Sequence, residues 1–201
     1  MNVLKSIPII ILVFGSTITC AQPSFRYAPG VNFSSLRIKQ NGKKYDSERP
    51  MTIHIGGQWE LQSGKHFWLE PGFQFTAKGS DYMIDSIKKS LTPLYVEIPF
   101  NAEYRFTIRN LNLSVFSGVF FGCAVGGYMI DNGIMEEISF GSGKKNDMRR
   151  IDYGLNVGTG IGVGKTWLAV QYCLGLANFS PLRSGNSEMK SDVIGVTLIF
   201  R

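Results

Sequence analysis

The stretch Met51–Gln62, MTIHIGGQWELQ, places apolar and polar side chains at alternate positions. After a Ser-Gly-Lys turn, the segment 67–78, FWLEPGFQFTAK, repeats this alternation. A period of two is the geometry of a β-strand, because successive side chains of a strand point to opposite faces. The two segments therefore predict a pair of antiparallel strands, joined by a tight turn, with one apolar and one polar face.

The same period of two recurs along most of the chain. It covers 95–106, 151–164, 167–176 and 194–200, and less regular stretches at 26–37 and 111–130 bring the total to about eight predicted strands. The regular stretches are long enough to cross a bilayer as tilted strands, which takes about 9–11 residues. With 23 glycines in 201 residues and 18% charged residues, the composition excludes a disordered chain or a coiled coil and fits about one domain.

The connections between the predicted strands alternate in length. Long polar segments cover 38–50, 79–93, 131–149 and 178–191, whereas tight turns occupy 63–65, 107–110 and 164–165. Short turns at one rim and long loops at the other are typical of an outer-membrane barrel. We therefore predict an all-β fold, an eight-stranded antiparallel up-and-down transmembrane β-barrel with both termini on the periplasmic side.

The polar faces of these strands carry charges. An unpaired charge facing hydrocarbon costs several kcal/mol, so we expect the apolar faces to meet lipid and the charged faces to fill the lumen. An eight-stranded barrel is just wide enough for side chains to fill it. The predicted lumen network, with Arg105 as its hub and Lys78 as a further cation, consists of Glu60, Glu70, Glu97, Glu103, Arg105 and Asp152. Alternation alone also permits the inverse arrangement, a soluble lipocalin-like barrel with apolar residues inside.

Much of the glycine surplus lies in one predicted strand, on the face assigned to the lumen. We expect these glycines to leave room for bulky groups on the opposite wall, such as Trp68, Tyr95 and Arg105, which predicts a filled barrel without an open pore. The glycines are Gly154, Gly158, Gly160, Gly162 and Gly164.

The N-terminal residues 1–21 have the pattern of a secretory signal peptide that is cleaved on export. Lys5 precedes the apolar run IPIIILVF at 7–14, and small and polar residues follow it. Cleavage would leave 22–201 as the outer-membrane barrel domain. Cys20 offers the alternative of a lipid-bearing first residue, although the threonine before it fits that pattern poorly.

The segment 95–106, YVEIPFNAEYRF, contains a Y-x-E-I-P strand motif. Together with NFSSL at 32–36, LEPGF at 69–73 and DYGL at 152–155, it resembles the PorT-like family of outer-membrane β-barrels of Gram-negative bacteria, over essentially the whole mature chain. The resemblance implies an eight-stranded barrel in the outer membrane. It also implies a link to protein secretion through the type IX system, with which the founding member is associated.

Motifs that would carry chemistry are weak in this sequence. TGIGVGKT at 159–166 ends like a phosphate loop, but it lacks the first glycine and a strand-forming WLAV follows it instead of a helix. The two histidines, His54 and His66, lie near neither a serine motif for nucleophilic catalysis nor a cysteine cluster for zinc. The sequence predicts a noncatalytic protein without catalytic, cofactor-binding or metal-binding residues.

Basic residues occur in the predicted long loops, mixed with acidic ones. They indicate either ordinary solvated loops or contact with lipopolysaccharide phosphates on the outer surface; they are Lys43, Lys44, Lys88, Lys89, Lys144, Lys145, Arg149 and Arg150. We expect a monomer in the outer membrane with a structural or interaction role in the cell envelope, assisting secretion. Its partners would be outer-membrane lipid and envelope or secretion proteins, not nucleic acid. A narrow small-solute channel and a soluble periplasmic ligand-binding barrel are the alternatives.

Overall fold

The computed structural model describes residues 23–40, 43–45, 47–84, 87–143, 146–180 and 187–201, so the predicted signal peptide and Cys20 lie outside the described residues. These residues contain no helix long and apolar enough to cross a membrane. The strands are β1 (Ser24–Tyr27), β2 (Gly30–Gln40), β3 (Lys43–Tyr45), β4 (Ser47–Glu48), β5 (Met51–Gln62), β6 (Phe67–Ala77), β7 (Ser80–Ile84), β8 (Ile87–Ile108), β9 (Leu111–Asp131), β10 (Ile134–Glu137), β11 (Ile151–Val163), β12 (Thr166–Gly175) and β13 (Ser187–Ile199).

Eight of these strands form a closed antiparallel ring. Its order is β2, β5, β6, β8, β9, β11, β12 and β13, and β13 pairs back to β2. The short strand β1 shares one position in the ring with β2. Like β2, it lies between β5 and the end of β13: it pairs with 57–60 of β5, and Tyr27 bridges to Phe200 after β13. The prediction of an all-β, eight-stranded antiparallel barrel is confirmed.

The two rims of the ring differ in their connections. The tight turns at 63–66, Arg109–Asn110 and 164–165 share one rim with both ends of the described chain, and we call this the short-turn rim. Arg109 and Gly164 turn the chain with φ values of 57° and 61°, in the left-handed region. The opposite end, where the long connections lie, is the long-loop rim.

The long connections were predicted as polar loops, and this was wrong for much of their length. β8 and β9 have 22 and 21 residues and continue as a paired extension beyond the ring, where β7 and β10 add to them. Outside a bilayer a strand needs no continuous apolar face. The period-two pattern therefore fades from the sequence in this extension while the backbone pairing continues.

The outward face of the ring is apolar and the charges lie inside. Side chains such as Ile53, Phe75, Phe121, Val157 and Leu168 are between 48% and 67% exposed. An apolar surface that continues around the whole barrel suits lipid and not water. The soluble lipocalin-like arrangement, which needs apolar residues inside, is therefore excluded.

Candidate functional site in the barrel lumen

Three arginines and three glutamates meet inside the barrel near the short-turn rim. β1, β5, β6 and β8 provide five of them, and the sixth follows β13. We call this group the short-turn cluster; its members are Arg26, Glu60, Glu70, Glu103, Arg105 and Arg201.

Arg105 lies at the centre of the short-turn cluster. Its Nη1 donates to Glu60 Oε1 at 2.5 Å, and its Nη2 donates to Glu70 Oε1 at 2.6 Å. Its Nε donates to Glu103 Oε2 at 2.6 Å. The guanidinium also stacks on the ring of Trp68, whose centroid is 4.4 Å from Cζ. Arg105 therefore contacts all three glutamates of its cluster.

Arg26 belongs to the same cluster but was not among the residues named from the sequence. Its Nη2 donates to Glu70 Oε1 at 2.5 Å, and its Nε lies 3.4 Å from Glu60 Oε1. The side chain is only 3% exposed. The strand period is broken by the Ala-Pro step after β1, which hid the inward direction of this residue. The signal that could have found it was charge balance, since Arg105 and Lys78 are too few cations for five inward carboxylates.

A second charged group lies nearer the long-loop rim and we call it the long-loop cluster. Lys78 Nζ donates to Asp152 Oδ2 at 2.6 Å and also forms an ion pair with Glu97. Ser191 Oγ donates to Asp152 Oδ2 at 3.2 Å, and Gln74 Nε2 donates to Glu97 Oε2 at 2.8 Å. The structure thus divides the predicted network in two, and Arg105 reaches only the glutamates of the short-turn cluster.

A chain of hydrogen-bonded polar side chains surrounds His54 inside the barrel. Its Nδ1 lies 2.9 Å from Asn32 Oδ1, and its Nε2 lies 3.0 Å from Thr197 Oγ1. Asn32 Nδ2 in turn donates to Thr76 Oγ1 at 2.8 Å. His66 lies far from this chain, at the β5–β6 turn, where its Nδ1 is 3.0 Å from the Arg105 carbonyl oxygen. Neither histidine is hydrogen bonded to a serine or a carboxylate in the described part of the chain.

A small cavity lies between the two charged clusters. Its volume is about 40 Å³, and its polar lining includes Gln58, Gln171 and the side chains of Asn101 and Asn156. One water needs about 10–15 Å³ of such volume, so the cavity has room for a few waters. The Oδ1 atoms of Asn101 and Asn156 are buried without a hydrogen-bond partner in the described protein. The cavity therefore has the size and the free acceptors to hold a few waters, and its volume is small for a solute passage.

Aromatic side chains from the two neighbouring strands occupy the space beside the glycines of β11. A Cβ added to these glycines would lie within 2.8 Å of an aromatic ring, in the pairs Gly154 with Phe120, Gly158 with Phe116 and Gly162 with Trp167. Each of these pairs is in direct cross-strand register. A ring on the adjacent strand therefore reaches the glycine before any group from the opposite wall can.

The residues predicted to fill that space are not the groups nearest to the glycines, although Arg105 Cζ lies 5.1 Å from the centre of the Trp167 ring. Trp68 stacks on Arg105, and Tyr95 packs against Phe179, with ring centroids 6.1 Å apart. Gly164 is in the β11–β12 turn and not on the lumen face. The expectation was therefore correct that the space is filled but wrong about which side chains fill it.

An apolar cap closes the lumen at the long-loop rim. Met148 and Phe179, from the long connections, are each 1% exposed. Backbone hydrogen bonds fix them, from Gly141 N to Met148 O at 2.8 Å and from Phe179 N to Met189 O at 2.8 Å. The cap consists of Leu36, Ile38, Leu91, Tyr95, Ala124, Ile138, Met148, Ala177 and Phe179. The sequence pattern does not reveal the cap, because five of its members lie in segments predicted as long polar connections: Ile38, Leu91, Ile138, Met148 and Phe179.

The basic residues of the long connections fall into different environments. Lys88 Nζ lies 3.0 Å from Asp81 Oδ2, and Lys89 Nζ lies 2.6 Å from Asp131 Oδ2. Hydrogen bonding to Asp81 raises the pKa of Lys88, and hydrogen bonding to Asp131 raises the pKa of Lys89. Arg149 and Arg150 line a pocket on the outside of the barrel. The side chains of Lys43, Lys44, Lys144 and Lys145 lie outside the described part of the structure.

Comparison with known proteins shows which family model and which solved folds this chain resembles. A family model described as outer membrane protein beta-barrel domain matches residues 20–180. The solved outer membrane protein OprG from Pseudomonas aeruginosa is 16% identical, with a TM-score of 0.51 over 90% of this chain and 94% of that chain. Neisserial surface protein A (NspA) is 9% identical, with a TM-score of 0.48 over 90% of this chain and 99% of that chain. No curated protein matches the sequence.

Proposed function

We propose, from the premise that this chain belongs to the outer membrane protein beta-barrel domain family, that it acts as a closed, noncatalytic barrel with an exposed interaction surface. It is a small outer-membrane β-barrel protein with an eight-stranded antiparallel ring. Because tight turns face the periplasm in such barrels, the long-loop rim faces the outside of the cell.

The observation that carries the proposal is the closure of the lumen at three successive levels. The apolar cap covers the outer end, and the long-loop cluster lies below it. The short-turn cluster fills the periplasmic end, and a cavity of only about 40 Å³ separates the two charged groups. This arrangement argues against the alternative of a narrow solute channel, since a passage would require both ion clusters to separate.

The interaction surface in this proposal is the extension formed by β8 and β9 with β7 and β10. Its apolar side chains Met83, Ile134 and Met135 are between 62% and 66% exposed, although they lie beyond the membrane-spanning ring. Exposed apolar residues outside the bilayer are suited to binding another protein. The proposed partners are envelope or secretion proteins, and the PorT-like resemblance of the segment 95–106 supports a role in type IX secretion. Outer-leaflet lipid, including lipopolysaccharide phosphates near the basic long connections, completes the set of proposed partners.

A planar-bilayer recording tests the closed lumen. The purified protein, shown to be folded by its heat-modifiable gel mobility, is expected to give no stable conductance steps. An open porin in the same bilayers serves as the positive control. Reproducible steps from the folded protein would contradict the proposal and favour the solute-channel alternative.

Crosslinking in intact cells tests the interaction surface. A photo-reactive amino acid at Met135 is expected to capture an envelope or secretion protein, whereas one at Leu168, on the lipid-facing belt, is expected not to. Equal capture from both positions would contradict the proposal that the extension is the interaction surface. Capture of envelope proteins outside the type IX system would remove only the secretion assignment.

A further inference from the structure

A pocket of about 360 Å³ opens on the outside of the barrel at the long-loop rim. The connection between β10 and β11, the start of β11 and the connection after β12 form its walls. Its lining includes the basic side chains of Arg149 and Arg150 and the apolar and aromatic side chains of Ile151 and Tyr153. We call this cavity the rim pocket.

The two guanidinium groups of the rim pocket, those of Arg149 and Arg150, make few hydrogen bonds within the described protein. Arg149 Nε is buried and has no hydrogen-bond partner among the described residues. The side chain of Arg150 donates one hydrogen bond, from Nη1 to the carbonyl oxygen of Ala124 at 3.3 Å, and its guanidinium lies 5.5 Å from the centre of the Phe140 ring. A buried donor without an acceptor costs free energy, so the Arg149 guanidinium is not fully satisfied by hydrogen bonds within the described protein.

Three other cations at the same rim differ from this pair because each of the three has a carboxylate beside it. The distances are 2.7 Å for Arg37 with Asp192, 3.0 Å for Lys88 with Asp81 and 2.6 Å for Lys89 with Asp131. No described carboxylate forms such an ion pair with Arg149 or Arg150, and the lining of the rim pocket contains no acidic residue. The pocket therefore has positive charge available for an anion from outside the protein.

The apolar side of the rim pocket continues into the membrane-facing belt. Ile151 and Tyr153 are 43% and 48% exposed, and the next outward residues of β11, Leu155 and Val157, are 48% and 55% exposed. Tyrosine is enriched where a bilayer meets water. Moving from the rim into the membrane, the surface thus presents two guanidinium groups, then Ile151 and the aromatic ring of Tyr153, then further aliphatic side chains. This is the order in which a lipid presents its phosphate, its interfacial region and its acyl chains.

We propose that the rim pocket binds the phosphate group of a phosphorylated glycolipid of the outer leaflet, with an acyl chain lying against Ile151 and Tyr153. The planar fork of arginine matches phosphate oxygens with paired, charge-assisted hydrogen bonds. This inference rests on the lipid contact included in the proposed function and assigns that contact to one pocket.

Native mass spectrometry of the detergent-solubilised, folded protein tests the assignment. The protein is titrated with diphosphoryl lipid A, with the same lipid after removal of its phosphates, and with inorganic phosphate. The double variant Arg149→Gln/Arg150→Gln is expected to bind diphosphoryl lipid A about tenfold more weakly than the unmodified protein, because hydrogen bonds to charged groups are lost. The variant Arg149→Lys/Arg150→Lys is expected to fall between them, since lysine keeps the charge but not the fork. Lys88→Gln, which removes a cation that already has a carboxylate partner, is the matched control and should bind normally.

The outcomes separate the pocket from the wider proposal. Equal binding of phosphorylated and dephosphorylated lipid by the unmodified protein would overturn both the rim pocket and the proposed phosphate contact. A preference for the phosphorylated lipid that survives in the double variant would overturn the rim pocket alone. Binding of inorganic phosphate as tight as that of the lipid, and lost in the double variant, would overturn the lipid as occupant. If the double variant does not fold, Arg150→Gln alone replaces it, because Arg150 is exposed. Unchanged lipid binding by Arg150→Gln would also overturn the assignment.

Discussion

The two charged clusters of the lumen differ in how many cations hold each carboxylate. In the short-turn cluster, Glu60 contacts Arg26, Arg105 and Arg201, and Arg201 is 47% exposed. In the long-loop cluster, Lys78 is the only cation in ion-pair contact with Glu97 and Asp152 among the described residues, and it is 4% exposed. If one cation of the short-turn cluster is removed, other cations still contact Glu60. If Lys78 is removed from the long-loop cluster, no described cation is left in contact with its carboxylates. We therefore expect the barrel to tolerate the loss of a cation better in the short-turn cluster than in the long-loop cluster.

Lys78→Met is expected to have the largest effect on stability. It leaves two buried carboxylates without a cation, and breaking a buried pair in this way costs about 3–5 kcal/mol. Urea unfolding of the protein in lipid vesicles, followed by tryptophan fluorescence, measures the loss. The triple variant Lys78→Met/Glu97→Gln/Asp152→Asn, in which the charges are removed together, is expected to recover most of it. An unchanged unfolding curve for Lys78→Met would show that Lys78 does not hold the cluster together.

Arg105→Ala is expected to destabilise the barrel less, by about 2 kcal/mol. It removes contacts to three glutamates, but Arg26 continues to contact Glu60 and Glu70. A lowered unfolding temperature in the heat-modified gel shift is the measurement. Arg201→Ala, which removes an exposed contact to Glu60, is the control and should cost less than about 1 kcal/mol. A loss for Arg105→Ala as large as that for Lys78→Met would contradict the idea that the short-turn cluster shares its charges.

Gly122→Ala is expected to have the smallest of the three effects, about 1 kcal/mol. Gly122 pairs with both Glu97 and Asp152 on the flanking strands, and a Cβ there would lie 2.9 Å from Glu97 Cγ. The added methyl group displaces Glu97 from Lys78 without removing a charge. Gly126→Ala on the same strand is the matched control, because its Cβ would meet no atom within 4 Å. Equal unfolding midpoints for the two variants would contradict this view of the site.

The barrel and most of its lumen charges were predictable because the bilayer imposes one rule on every spanning strand. A charge cannot face hydrocarbon, so alternation together with charge identifies the inward face of β5, β6, β8 and β11. Glu60, Glu70, Glu97, Glu103 and Asp152 all follow this rule and are at most 5% exposed. Which carboxylate meets which cation depends on register and strand height, and these are set by pairing between strands rather than by any one segment.

The cap and the rim pocket were not predictable in the same way. Met148, Phe179 and Arg149 lie where the chain has left the bilayer, and no periodic constraint acts on them there. Their neighbours come from other long connections, so their burial depends on how separate segments fold over the same opening. Arg26 was missed for a related reason, since an Ala-Pro step separates its short strand from the regular part of β2.

The two cysteine thiols of the barrel allow its closure to be followed by chemical labelling. Cys123 and Cys173 are free and lie on β9 and β12, with β11 between them. Cys123 is paired with Ile151, whose side chain faces outward, whereas Cys173 is part of the lumen lining. In a chain starting at residue 22, a thiol reagent dissolved in the lipid would label one cysteine of the inserted barrel and both cysteines of the unfolded chain. The number of labelled thiols per molecule would therefore record barrel closure directly, without an engineered residue.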